Sequence, residues 1–176
     1  MTDRPTLVVV SGPPGSGKTT LAHEIARTIG CPAVCRDEIK EGMAHATPGF
    51  APGPGDELTM RTLPVFFGVL ELLLTAGVTT VAEAAFQDRV WAPGLTTLLP
   101  IARIRIVHCV VDAEVAVDRA HRRGARAAHA DPGPAERLRG HRAFDRVALK
   151  VPWIEVDTTS GYQPGIDRIT AFINGF

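Results

Sequence analysis

The residues with the clearest chemistry lie near the start of the chain. Gly12-Pro13-Pro14-Gly15-Ser16-Gly17-Lys18-Thr19 satisfies G-x-x-x-x-G-K-[ST], and it falls between a short β-branched run and a helical pattern. Glycines at the first, fourth and sixth positions let the main chain bend so that successive N–H groups point inward at phosphate oxygens. The helix that follows adds the positive end of its dipole. At the end of this loop Lys18 reaches the β- and γ-phosphates, the Thr19 hydroxyl ligates Mg²⁺, and Thr20 is within reach of the α-phosphate. The implied ligands are ATP and Mg²⁺. A dinucleotide turn is excluded, because the glycines do not follow G-x-G-x-x-G.

Phosphoryl transfer to a hydroxyl also needs a base and counter-charge. Asp37, in Cys35-Arg36-Asp37-Glu38-Ile39-Lys40, follows a short apolar run, and in a parallel sheet the strand ends share one rim. Asp37 therefore reads two ways, as the group that orients and deprotonates an acceptor, or as a helix N-cap. Glu83 ends the run Val78-Thr79-Thr80-Val81-Ala82 and also reads two ways. It is a carboxylate for the Mg²⁺ shell or a substrate hydroxyl, or a plain strand-end acid. Between Arg119 and Arg146 lie eight arginines and three acids, an excess of five positive charges in a chain whose Lys plus Arg and Asp plus Glu both number 19. That stretch is either a charge-neutralising clamp or an exposed basic helix face.

The elements that must position these groups alternate along the chain. Strands are expected at Thr6–Val10, Pro32–Cys35, Val78–Ala82, Ile104–Val111 and Trp153–Val156. Helices are expected at Lys18–Ile29, Asp37–Ala44, Asp56–Ala76, Ala113–Arg123 and Ile166–Ile173. Thr47–Gly55, with three Pro and three Gly in nine residues, is a loop. The alternation implies an α/β fold, a five-stranded parallel sheet with helices on both faces, in one domain over residues 1–176. The apolar stretch from Val65 to Ala82 is broken by Glu71 and Ala76-Gly77, so it reads as a core helix followed by a strand rather than a membrane span. Cys31, Cys35 and Cys109 are odd in number. No second Cys/His pair follows Cys31 and Cys35 at metal-ligand spacing, and all three read as reduced thiols. With no signal-peptide pattern at the N-terminus, the expected location is the cytoplasm.

The phosphate loop together with Arg36-Asp37-Glu38-Ile39-Lys40 resembles the kinase domain of polynucleotide kinases and the small P-loop kinases grouped with them. That set includes chloramphenicol phosphotransferases and lies within the zeta-toxin-like AAA ATPases. The resemblance covers nearly the whole chain, with the phosphate loop its most specific part. It implies a three-layer P-loop NTPase fold with an arginine-rich lid at about residues 119–134, and Asp37 as catalytic base. Lys40 stands where those kinases have an arginine that binds substrate phosphate. Lysine lacks the bidentate fork of arginine. The resemblance further implies that Arg119 and Arg123 lie over the nucleotide, with Arg126 a third candidate, and that Arg123 serves catalysis beside Lys18. It also implies that Gln87 and Arg89 face the acceptor, and that the segment Val156 to Tyr162, including Thr158, lines the adenine pocket.

Three functions are compatible with these residues. The leading one is an ATP-dependent phosphotransferase acting on a small hydroxylated molecule, a metabolite, nucleoside or antibiotic. Phe50, Leu58, Met60, Leu63, Phe66 and Phe67, half of them plain core, would suit a partly hydrophobic acceptor. The second is a kinase for nucleic-acid ends, against which the zero net charge argues. The third is a regulatory nucleotide-binding protein without an acceptor.

Overall fold

The computed structural model describes residues 4–123, 128–130 and 133–175. Arg126, the third lid candidate, lies outside the described residues, as do positions 124, 125, 127, 131 and 132 of the expected lid. In chain order the elements are β1 (Thr6–Ser11), α1 (Lys18–Ile29), β2 (Ala33–Cys35), α2 (Arg36–His45), α3 (Glu57–Thr75), β3 (Thr80–Glu83), α4 (Asp88–Leu98), β4 (Arg103–Val110), α5 (Ala113–Arg123), α6 (Gly133–Arg142), β5 (Trp153–Asp157) and α7 (Ile166–Asn174).

Five strands form one sheet in the order β2-β3-β1-β4-β5, and every pairing is parallel. β1 is buried along its whole length, which is why it reads as a continuous apolar run. Its side chains alternate between two layers. Val8 and Val10 pack with Leu21 and Ile25 of α1 and Ile169 and Ile173 of α7. Leu7 and Val9 pack on the other side, with Phe66, Leu70 and Leu74 of α3 and Trp91, Leu95 and Leu98 of α4. The expected three-layer α/β arrangement is the observed one. Because β1 has β3 on one side and β4 on the other, a crevice opens beyond its carboxyl end, and the phosphate loop leaves β1 at that point.

The apolar stretch after Val65 resolves into α3 and β3. By length and composition α3 could cross a membrane. Here it carries buried residues every fourth position, Leu58, Thr62, Phe66, Leu70 and Leu74, the last three in the core cluster against the sheet and Thr62 against Met43 of α2. Two helices differ from the sequence reading. α4 is absent from the expected helices, and Pro93 and Gly94 within it are breakers that obscure a helical pattern. Gly94 is needed there, since a Cβ would run into the Phe67 ring. α6 buries no side chain, so no apolar period marks it.

One ion pair holds the approach to α3. Lys40 of α2 is almost fully buried, with Nζ 2.8 Å from Asp56 Oδ2. Asp56 also accepts from the Thr59 N–H at 2.8 Å as the N-cap of α3, and from the Gly53 N–H. Burial alone would raise the Asp56 pKa. Lys40 and the Thr59 and Gly53 amides outweigh it and hold the carboxyl well below its ordinary value of 3.8. Asp56→Ala leaves a buried ammonium unpaired and removes the cap, so it should cost roughly 3 kcal/mol of folding stability in denaturant titration. Because the folded pKa is depressed, this stabilisation is complete above the ordinary aspartate value and is lost as the pH falls below it. The difference between wild type and variant should therefore shrink in acid.

Candidate active site

The phosphate loop is built so tightly that side chains are excluded from it. Gly15 sits at φ +81°, and a Cβ there would strike the backbone of Ala116 in α5. A Cβ on Gly12 would lie 2.7 Å from the Cys109 carbonyl oxygen. Within the loop the Ser16 N–H bonds to the Pro13 carbonyl at 3.2 Å, and the helical ladder begins with the Leu21 N–H on Gly17. Among the described residues no acceptor meets the N–H groups of Gly15, Gly17, Lys18, Thr19 and Thr20. The N-cap Gly17 offers no side chain, and the first turn of α1 contains no acid. The Ser16 hydroxyl is buried and without a hydrogen-bond partner. A row of open donors at a helix N-terminus, free of internal counter-charge, fits the phosphates of a nucleotide. Pro13 and Ser16 are buried, and Pro14 and Thr20 are exposed.

Below the loop, Glu83 is 2 % exposed at the end of β3. Its Oε1 lies 3.7 Å from Lys18 Nζ, and its Oε2 accepts from the Thr19 hydroxyl at 3.2 Å. Burial drives the Glu83 pKa above its ordinary value. Lys18 opposes this, the charge of Asp37 adds to it, and hydrogen bonds from Thr19 and Cys35 offset part. A hydroxyl and a buried carboxylate short of positive charge are the donor set that Mg²⁺ takes, so Thr19 and Glu83 fit the ion.

Asp37 stands in the first turn of α2, directly after β2, whose Cys35 is in register with Glu83. It is not the N-cap of α2, a position held by Cys35. Instead Oδ1 accepts from Arg36 Nη1 at 3.0 Å, and Oδ2 lies 3.9 Å from His129 Nε2. Burial would raise the Asp37 pKa, but His129, Lys18 and Arg36 together hold it below the ordinary value, so Asp37 is ionised at neutral pH. His129 escaped the sequence reading because the segment around it is rich in Ala, Arg and Pro with no period to mark it.

A cavity of about 380 Å³ opens beside Asp37. Arg36, Asp37, Thr59 and Gln87 give it polar groups, and Met60, Leu63, Ala85, Val90 and Trp91 give it an apolar wall. Of the apolar residues singled out in the sequence, Met60 and Leu63 line this cavity. Leu58 and Phe66 are fully in the core, and Phe67 packs against it. The Phe50 ring lies under the Lys40 ammonium. Gln87 is brought to the cavity, and Arg89 is exposed outside its lining. Lys40 is turned away into its pair with Asp56.

On the opposite side of the loop, Arg119 of α5 donates to the carbonyls of Thr158 at 2.7 Å and Thr159 at 3.1 Å, and its guanidinium borders Gly17. The structure thus brings Arg119 to the loop, while Arg123 is exposed at the end of α5. Thr158 is buried, and its hydroxyl donates to the Ser16 carbonyl at 2.7 Å, bracing the phosphate loop from beneath.

A protein-family model described as an AAA domain matches residues 7–146. Among curated proteins none matches the sequence. Three solved structures are similar over most of the chain. A kinase candidate from Chloroflexus aurantiacus is 25% identical with a TM-score of 0.83, over 98% of both chains. A sugar kinase from Janibacter sp. HTCC2649 is 21% identical with a TM-score of 0.70, over 98% of this chain and 95% of that one. The Pnkp1/Rnl/Hen1 RNA repair complex contains a chain 20% identical with a TM-score of 0.63, over 81% of this chain and 45% of that one.

Proposed function

The chain belongs to the AAA domain family, and from that premise we propose that it transfers the γ-phosphoryl group of ATP to a hydroxyl of a small, partly apolar molecule. The observation that carries this reading is the position of Asp37, an ionised carboxylate between the lysine of the phosphate loop and a cavity of about 380 Å³ with one apolar wall. A polyphosphate needs no such wall, and a regulatory nucleotide binder needs no carboxylate aimed into an open cavity.

The division of labour follows from the residues. The loop amides and Lys18 hold the phosphates and take up charge that develops on the transferring group. Mg²⁺, held by Thr19 with Glu83 behind it, supplies further charge neutralisation when bound. Arg36 and His129 fix the Asp37 carboxylate. Asp37 accepts a hydrogen bond from the acceptor hydroxyl and takes its proton as the new P–O bond forms and the bond to ADP breaks. Met60, Leu63, Val90 and Trp91 shield the apolar part of the acceptor and exclude water that would otherwise be phosphorylated in its place. Arg119 borders the loop on the nucleotide side, and Arg123, exposed at the end of α5, would add positive charge there once a nucleotide is bound.

The Lys40–Asp56 pair weighs against a nucleic-acid end as acceptor, because the one cation that the resemblance assigns to substrate phosphate is already neutralised. The reading is tested by incubating the protein with magnesium ATP and a panel of sugars, nucleosides, hydroxylated metabolites and antibiotics, followed by mass spectrometry. A small compound should gain one phosphate. Phosphorylation of oligonucleotide ends alone, or ATP hydrolysis indifferent to every hydroxyl compound, would contradict it.

A further inference from the structure

Beside the groups used above lies one further cluster of metal-ligating side chains. His23 lies on α1, Cys35 ends β2, and Glu38 lies in the first turn of α2. Their ligand atoms all fall within 4.8 Å of one another. His23 Nε2 is 2.7 Å from Glu38 Oε1 and 3.6 Å from Cys35 Sγ. We propose that His23 Nε2, Cys35 Sγ and a Glu38 carboxylate oxygen form a binding site for one divalent cation of the zinc class, with water as the fourth ligand.

Geometry and chemistry both support this. Zinc bound to imidazole nitrogen and thiolate sulfur in a tetrahedron separates the two atoms by about 3.6 Å, which is the spacing already present. The nitrogen–oxygen spacing must open by about 0.7 Å, and Glu38, half-exposed on a helix, is free to yield it. A thiolate with an imidazole selects zinc over magnesium, so this ligand set is distinct in kind from Thr19 and Glu83. The half-exposed His23 and Glu38 leave an entry path for the ion, while the buried Cys35 anchors it. Without an ion, burial and the nearby charges of Glu83 and Glu38 keep Cys35 protonated. Those same carboxylates supply the negative charge that a dication neutralises. On binding, the thiol proton passes to bulk water and the sulfur becomes a ligand.

The consequence for the molecule is mechanical. The three ligands tie α1, which carries the phosphate loop at its start, to the β2–α2 junction, which carries Asp37. Loading therefore fixes the base relative to the loop.

The test uses protein stripped with chelator and titrated with Co²⁺, whose thiolate complexes absorb in the near ultraviolet. The wild type should develop a thiolate charge-transfer band with one equivalent of Co²⁺, and Zn²⁺ should bleach it. Cys35→Ser should abolish the band. His23→Gln, at a half-exposed position that leaves the core intact, should weaken binding by about 10-fold to 100-fold. No thiolate band in folded wild-type protein, a band that survives Cys35→Ser, or wild-type affinity in His23→Gln would each overturn the proposal.

Discussion

Asp37→Asn should lower kcat for phosphoryl transfer by about 10³-fold while leaving the affinity for magnesium nucleotide within about 2-fold. The variant keeps the size and the hydrogen-bonding reach of the side chain but can no longer take a proton. The substitution is isosteric, and the amide oxygen can still accept from Arg36 Nη1, so the fold should be kept. The pH profile gives a second, independent readout. A base must be ionised, and the folded Asp37 pKa lies below the ordinary 3.8, so kcat/KM should hold as the pH falls to that value and decline only below it. Removing the His129 charge with His129→Asn should move that acid limb upward. An acid limb near neutrality, unmoved by His129→Asn, would assign the proton transfer to another group.

Lys18→Ala should lower kcat/KM by about 10²-fold to 10³-fold, with loss of nucleotide affinity as well as rate. Lys18 belongs to the loop itself, and its ammonium faces Glu83 across 3.7 Å. Its removal takes away the positive charge that opposes protonation of that buried carboxylate, so Glu83 should titrate still higher. Two defects then add in the same place, a missing clamp on the phosphates and a weaker partner for Mg²⁺. Steady-state kinetics at varied Mg²⁺ separates them. Raised Mg²⁺ should restore part of the loss in Lys18→Ala and none in Asp37→Asn.

The phosphate loop, its strand and its helix were legible in the sequence because local rules and tertiary context agree there. The valine run is buried on both faces, Gly12 and Gly15 meet backbone where a Cβ cannot fit, and Gly30 caps α1 in the left-handed region. The shared rim was legible because Glu83 closes β3 and Asp37 follows directly on β2 in one parallel sheet, with Cys35 in register with Glu83. What escaped was set by contacts distant along the chain. Lys40 fits a substrate-binding motif, yet its partner Asp56 waits 16 residues on, at the start of the next helix. The His129 contact with Asp37 and the approach of His23 to Cys35 likewise join elements that no local pattern connects. α6 was invisible because it buries no residue, leaving no apolar period.

Calorimetric titration of the wild type with a non-hydrolysable ATP analogue and Mg²⁺ bears most directly on the central claim, that open amides ahead of α1 and Lys18 hold a magnesium triphosphate against Asp37. The account predicts saturable one-to-one binding, weakened at least about 10-fold by Lys18→Ala and preserved in Asp37→Asn. Absence of saturable binding to folded wild-type protein, or equal affinity in Lys18→Ala, would contradict it.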